Sequence, residues 1–261
     1  MPGKQIDREK RRGMAVEHNK HIMQKYRPQI MESILSTRCY TRYTLQEFEP
    51  GIGSPTIRLI PTDTVSALFE CGEDAGRIAV LNFASYKNPG GGYIGGSIAQ
   101  EEALCHASTL YPVLKQNVTF YNYNNQNTRS AMYEDRALYS PGIVFEKEGS
   151  EITADVITCA APNLRTAEKY HGQKMATRNY YTLENRIRFL RKICEKENIH
   201  TFIFGAWGCG VFGQDAKDVA FLFLKEFENA DIAEIIIAIP PGENFDKFEA
   251  RYMTVPEWQQ L

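Results

Sequence analysis

Twice in this chain a short apolar run ends in a glycine cluster that leads into a helical pattern, and few folds accommodate that arrangement. The first case runs from IAVLNF through NPGGGYIGGS to QEEALCHASTLY, and the second from TFIF through GAWGCGVFG to AKDVAFLFLKEF. Glycines turn the backbone sharply and bring its N–H groups close to whatever the loop surrounds. The helix that follows adds the unpaired N–H groups of its first turn. Strand patterns at 56–60, 78–83, 155–159, 201–205 and 234–239 alternate with helical patterns at 62–71, 100–111, 177–196, 216–229 and about 244–252. Alternation of this kind predicts an α/β fold with a mixed or parallel sheet covered on both faces.

Residues 6–36 read as helix, with Met14, Ala15, His18, Ile22 and Tyr26 near one face. Pro28 divides the stretch into helices at 7–26 and 29–35. Pro112 is expected to stop the helix that starts at Gln100. The Asn/Tyr-rich stretch 117–127, within a less regular region at 115–150, reads as a surface excursion. No linker or repeat divides the chain, so one core from 46 to 261 with a helical extension at 1–45 is expected.

Composition narrows the function. A net charge of −2 leaves no global basic field for nucleic acid, so direct DNA binding is not expected and an anionic ligand needs local donors. No apolar run reaches the ~20 residues of a membrane span, and the charged N-terminus lacks a signal-peptide core, so a cytoplasmic chain is expected. The six cysteines are scattered without a CxxC pair, which suits reduced thiols. His18 and His21 stand three apart without a third ligand in reach of the pattern, which favours a solvated helix face over a metal site.

Glu101 and Glu102 follow the first glycine loop directly and fall, with Gln100, in the first turn of a helix. Acids there complement the helix dipole, and equally they bring acid–base capacity to the edge of a phosphate cradle. Both loops match GxGxxG, through Gly90, Gly92 and Gly95 and through Gly208, Gly210 and Gly213. The first has no acid about 20 residues on, where a dinucleotide fold places its ribose contact, and the second leaves too little chain for such a domain. Two glycine loops after two different strands better suit one pyrophosphate clasped from both sides. Phe212 suits a lid over a sugar or base, whereas Trp207 reads as a core anchor.

NPGGGYIGGSIAQEE resembles the poly(ADP-ribose) glycohydrolase signature, a triple glycine followed after a short spacer by Gln-Glu-Glu. LNFASYKNPGGG, TCAAPN and GAWGCGVFG are similar to the microbial branch of that family. The resemblance is strongest at 81–102 and 205–213, looser in the N-terminal helices, and carried by no motif at 230–261.

The resemblance implies a macro-domain-like three-layer α/β/α core and hydrolysis of ribose–ribose glycosidic bonds, with neither metal nor cofactor. It implies Glu102 as catalytic acid/base and Glu101 as a partner holding the ribose, with Asn88, Gly91, Gly92 and Gln100 as substrate contacts. Gly208, Gly210, Val211 and Phe212 close the site from the other side. It also implies that 1–45 caps the far end of the site, giving exo cleavage, the alternative being that the helices at 7–26 and 29–35 cover an apolar face of the sheet; a monomer is expected. Animal members carry aspartate where this chain has Asn82. Removal of ADP-ribose from an ADP-ribosylated protein and ADP-ribose reading without catalysis are the alternatives, with a nicotinamide-dependent oxidoreductase more distant.

Overall fold

The strands IAVLNF, TFIF and EIIIA are apolar at almost every position, which is the pattern of strands buried on both faces. A computed structural model describes residues 2–71 and 75–254. The strands are β1 (Arg38–Thr41), β2 (Thr56–Ile60), β3 (Ile78–Phe83), β4 (Arg136–Lys147), β5 (Ser150–Cys159), β6 (Thr201–Phe204) and β7 (Glu234–Ala238). They form one sheet in the order β1-β4-β5-β3-β6-β7-β2. From β5 to β2 all neighbours are parallel, and β4 and β1 extend that sheet antiparallel.

Period-two alternation assigns each strand residue to a layer. Ala79, Leu81, Phe202, Phe204, Ile235 and Ile237 enter one core. That core is closed by α8 (Met175–Lys196), α9 (Ala216–Phe227) and α10 (Glu243–Tyr252). Ile78, Val80, Ile203 and Ile236 enter the opposite core. There they meet α1 (Pro2–Lys25), α2 (Arg27–Ser36), α3 (Thr64–Glu70), α4 (Gln100–His106), α5 (Leu110–Gln116) and α6 (Val118–Gln126). α7 (Leu164–His171) packs on α8, and the expected three-layer α/β/α arrangement is present.

Several local expectations are corrected. Residues 100–111 are two helices, because the backbone at 107–109 turns out to pair with β4. Thr109 N donates to Val144 O at 3.0 Å and Glu146 N to Ala107 O at 2.8 Å. Pro112 therefore falls in the first turn of α5, where no intrahelical N–H is needed, and begins a helix instead of stopping one. The Asn/Tyr-rich stretch is α6, with Phe120, Tyr121 and Asn124 buried. Asn124 and Asn125 donate to Tyr86 O at 2.9 Å and Lys87 O at 3.2 Å, so tertiary bonds outweigh the weak helix propensity of asparagine.

Within 1–45, β1 joins the sheet, and Tyr40 and Leu45 are core residues. The tail of the expected core, 255–261, lies outside the described residues. On α1, Ala15 and Ile22 are buried but Met14 is exposed, and Tyr26, between α1 and α2, is buried. His18 is not on a solvated face, because its Nδ1 lies 2.8 Å from the Tyr93 hydroxyl, while His21 is exposed beside Glu146. No helix among the described residues is long and apolar enough to cross a membrane.

Candidate active site

Parallel strands β5, β3 and β6 end side by side, and the loops leaving them surround a cavity of about 530 Å³. Its position outside the carboxyl ends of the strands is where open α/β sheets bind ligands. The cavity brings together Asn88, Gly91, Gly92, Gln100, Glu101, Glu102, Gly208, Gly210, Val211 and Phe212, all of the site residues expected from the sequence.

Both carboxylates are buried. The Glu101 Oε1 accepts from Asn82 Nδ2 at 3.2 Å and Oε2 from Ser85 N at 2.7 Å, which ties the side chain to the end of β3. Burial raises the Glu101 carboxyl to about 8; the Ser85 and Asn82 donors oppose the shift, and the neighbouring charge of Glu102 adds to it. Glu102 Oε1 accepts from Gly92 N at 2.8 Å. Among the described residues its Oε2 has no hydrogen-bond partner and is left for a ligand.

Gly91 is where the loop meets both acids. Its φ is +58°, and a Cβ there would stand 2.7 Å from Glu102 Oε1 and 2.8 Å from Glu101 Oε2. Only glycine gives the backbone both the left-handed turn and that approach.

Gln100 lines the cavity, but its amide is occupied by the strand. Phe83 N donates to its Oε1 at 2.9 Å, and its Nε2 donates to Leu81 O at 2.8 Å. Its side chain thus anchors α4 against β3 and sets the position of the two acids that follow. Asn88 is exposed at the rim, its N–H donating to Ser85 Oγ at 3.1 Å.

The second loop is held from beneath. Trp207 is fully buried, as expected of a core anchor, and its Nε1 donates to Cys159 O at 3.1 Å. Gln214 donates to Pro162 O at 2.6 Å and exchanges amide hydrogen bonds of 2.8 Å with Asn179. Gly208 has φ +79° and leaves no room for a Cβ, with Ala161 and Gln214 carbons at 2.8 Å. Among the described residues, the backbone N–H groups of Gly208, Gly210, Val211 and Phe212 have no acceptor. Phe212 is half-buried and Val211 exposed over the cavity. Four free donors in one turn form a concave anion site.

Sequence reasoning missed Ser85, Asn179 and Gln214. Ser85 lay within the motif segment, but Asn179 and Gln214 support the loop from distant positions without any local pattern.

A second cavity of about 630 Å³ shares Phe83, Ala99, Gln100 and Ala206 with the first, so the two form one groove. Its other walls include Val65, Ile239, Pro240, Pro241 and the first turn of α10. Among the described residues, none of 8–45 lines either cavity. Instead Arg8 Nε and Arg11 Nε donate to Gly95 O at 3.0 Å and Gly96 O at 2.9 Å, bracing the back of the first glycine loop. Among the described residues no three His, Cys, Asp or Glu side chains converge as a metal-holding set.

Known proteins are similar to this chain in sequence and in fold. Residues 11–148 match the microbial-type PARG catalytic domain. The X-ray structure of poly(ADP-ribose) glycohydrolase (PARG) from Thermomonospora curvata is similar with a TM-score of 0.83 and 27% identity, covering 94% of this chain and 100% of that chain. The same enzyme bound to the inhibitor ADP-HPD is similar at 0.81 and 26%, with the same coverage. PARG from Deinococcus radiodurans in complex with ADP-ribose gives 0.77 and 28% over 86% of this chain and 97% of that chain. No curated protein matches. With the motif-bearing loops and the paired acids in one groove, the chain belongs to the microbial-type PARG catalytic-domain family.

Proposed function

We propose that this protein hydrolyses the ribose–ribose glycosidic bonds of poly(ADP-ribose) and releases ADP-ribose. The observation that carries the reading is the placement of two buried carboxylates opposite four free backbone N–H groups across one cavity. The relatives are poly(ADP-ribose) glycohydrolases, and the Deinococcus enzyme is seen with ADP-ribose.

The N–H groups of Gly208, Gly210, Val211 and Phe212 receive the diphosphate, and the apolar cavity beside α3 and α10 receives the base. This leaves the far ribose against Asn88, Gly91 and the two acids. Burial keeps a proton on Glu101 at neutral pH. Glu101 holds the ribose, and Glu102, with Oε2 open to the cavity, protonates the departing ribose oxygen as an oxocarbenium-like centre develops. Glu102 then takes a proton from the attacking water. Holding the substrate in this geometry contributes roughly 7–11 kcal/mol in favourable cases.

Attack is from the chain end. The support for exo cleavage lies in Pro240, Pro241 and the start of α10, which wall the base end of the groove. Six free cysteines suit the cytoplasm. A polymer digest resolved by chain length is the test. ADP-ribose as the sole early product is expected, whereas abundant early oligomers would exclude the exo mode. Release of ADP-ribose from mono-ADP-ribosylated protein but not from polymer would replace this reading with its alternative.

A further inference from the structure

A separate cavity of about 350 Å³ lies behind an aromatic wall at the scissile end of the groove. The wall is Tyr133, stacked on Tyr86 with ring centres 4.0 Å apart and 6.2 Å from Phe212. Phe212 faces the groove, Tyr133 lines the separate cavity, and Asn88 lies two residues beyond Tyr86.

The cavity is rich in arginine. Its two acids are already taken, Glu134 by Arg129 at 2.7 Å and Asp135 by the buried Arg186 at 2.8 Å. Arg42, Arg136 and Arg178 also line it, and among the described residues none of them has a carboxylate within ion-pair distance. Arg42 lies over the Tyr43 ring at 4.7 Å and Arg136 over Tyr123 at 4.0 Å. Arg42 Nη2 donates to the Tyr43 hydroxyl at 2.6 Å and Arg136 Nε to Asn124 Oδ1 at 3.2 Å, and the remaining N–H groups of each guanidinium suit a phosphate, which arginine binds in a planar fork.

The backbone beside this cavity is strained. Arg129, Ser130 and Ala131 have φ of +47°, +57° and +63°, and Tyr133 has +61°. Left-handed conformations at non-glycine residues persist only where the surroundings hold them, and they concentrate at functional sites. Here the run supplies Arg129 to the cavity and Tyr133 to the wall.

We propose that this cavity is a subsite for the diphosphate of the next ADP-ribose unit, on the leaving side of the scissile bond. The proposal rests on reading the groove as a poly(ADP-ribose) hydrolase site. A diphosphate diester carries two negative charges, which guanidiniums without a carboxylate partner match. A free nucleotide has the same chemistry, so the test separates the two sources.

The test compares Arg42→Glu/Arg178→Glu with the parent in a Glu102→Gln background, measuring affinity for polymer of defined length and for free ADP-ribose at several salt concentrations. Both arginines are exposed, and equal thermal midpoints check that the double variant folds. Polymer affinity should fall about tenfold or more with a shallower salt dependence, while ADP-ribose affinity stays the same. Arg178→Gln alone should give a smaller loss. Unchanged polymer affinity would overturn the subsite. A second free ADP-ribose bound by the parent and lost in the double variant would also overturn it, in favour of an independent nucleotide site. Failure of the wild-type chain to release ADP-ribose from polymer removes the hydrolase reading itself and is seen before any variant is made.

Discussion

The backbone N–H of Gly92 donates to Oε1 of Glu102 over 2.8 Å, so the glycine loop and the first turn of α4 fix one another. The bond leaves Glu102 one free oxygen and settles which way the carboxylate faces. The same turn brings Gly91 against both acids, which couples loop conformation to the position of both carboxylates.

Glu102→Gln should reduce polymer hydrolysis by ~10²–10⁴-fold and leave ADP-ribose affinity little changed. The amide oxygen still accepts from Gly92, so the loop keeps its shape while the transferable proton is lost. Calorimetry beside a polymer digest checks both halves, and near-normal turnover would remove Glu102 from the mechanism.

Activity should decline as pH rises through about 8, where Glu101 loses its proton. The shift also acts on stability. Between its ordinary value and about 8 the folded chain holds a proton that the unfolded chain releases, so this group's contribution falls as pH rises across that window. Glu101→Gln should therefore flatten the alkaline loss of stability while lowering activity. Denaturant midpoints of both chains from pH 5 to 9 test the sign, and parallel curves would refute it.

Gly91→Ala should be harmful twice over. A left-handed alanine costs roughly 1–2 kcal/mol, and its methyl must displace one or both carboxylates. A displacement of about 1 Å is worth on the order of 10²-fold in rate. A folded variant with wild-type turnover would show that the contact between loop and acids is dispensable.

Turnover should survive exhaustive EDTA, since the proposed chemistry runs through Glu101 and Glu102 alone. Activity that disappears and returns with added zinc, magnesium or manganese would require a different mechanism.

The elements that local pattern specifies were legible. The strands at 56–60 and 78–83 appear with the expected bounds, and the ten residues that the family resemblance implied for the site line one cavity. An apolar run between turn signals becomes a buried strand almost wherever it sits, and a glycine loop needs its glycines at fixed spacing. Asn82 shows the limit. Its departure from the animal pattern was visible, but only the fold shows its amide donating to Glu101.

What the sequence by itself determined was the alternation of strands and helices, the two glycine loops and the acids following the first. Tertiary structure decided the rest. It made α6 from an asparagine-rich stretch by bonding it to the backbone of Tyr86 and Lys87, and it turned Pro112 into a helix start by pairing 107–109 with β4. It packed α1 behind the first glycine loop through Arg8 and Arg11. The physical reason is that hydrogen bonds and burial between residues far apart in the chain outweigh local preferences of a few tenths of a kcal/mol per residue. No local pattern records which distant residues will meet.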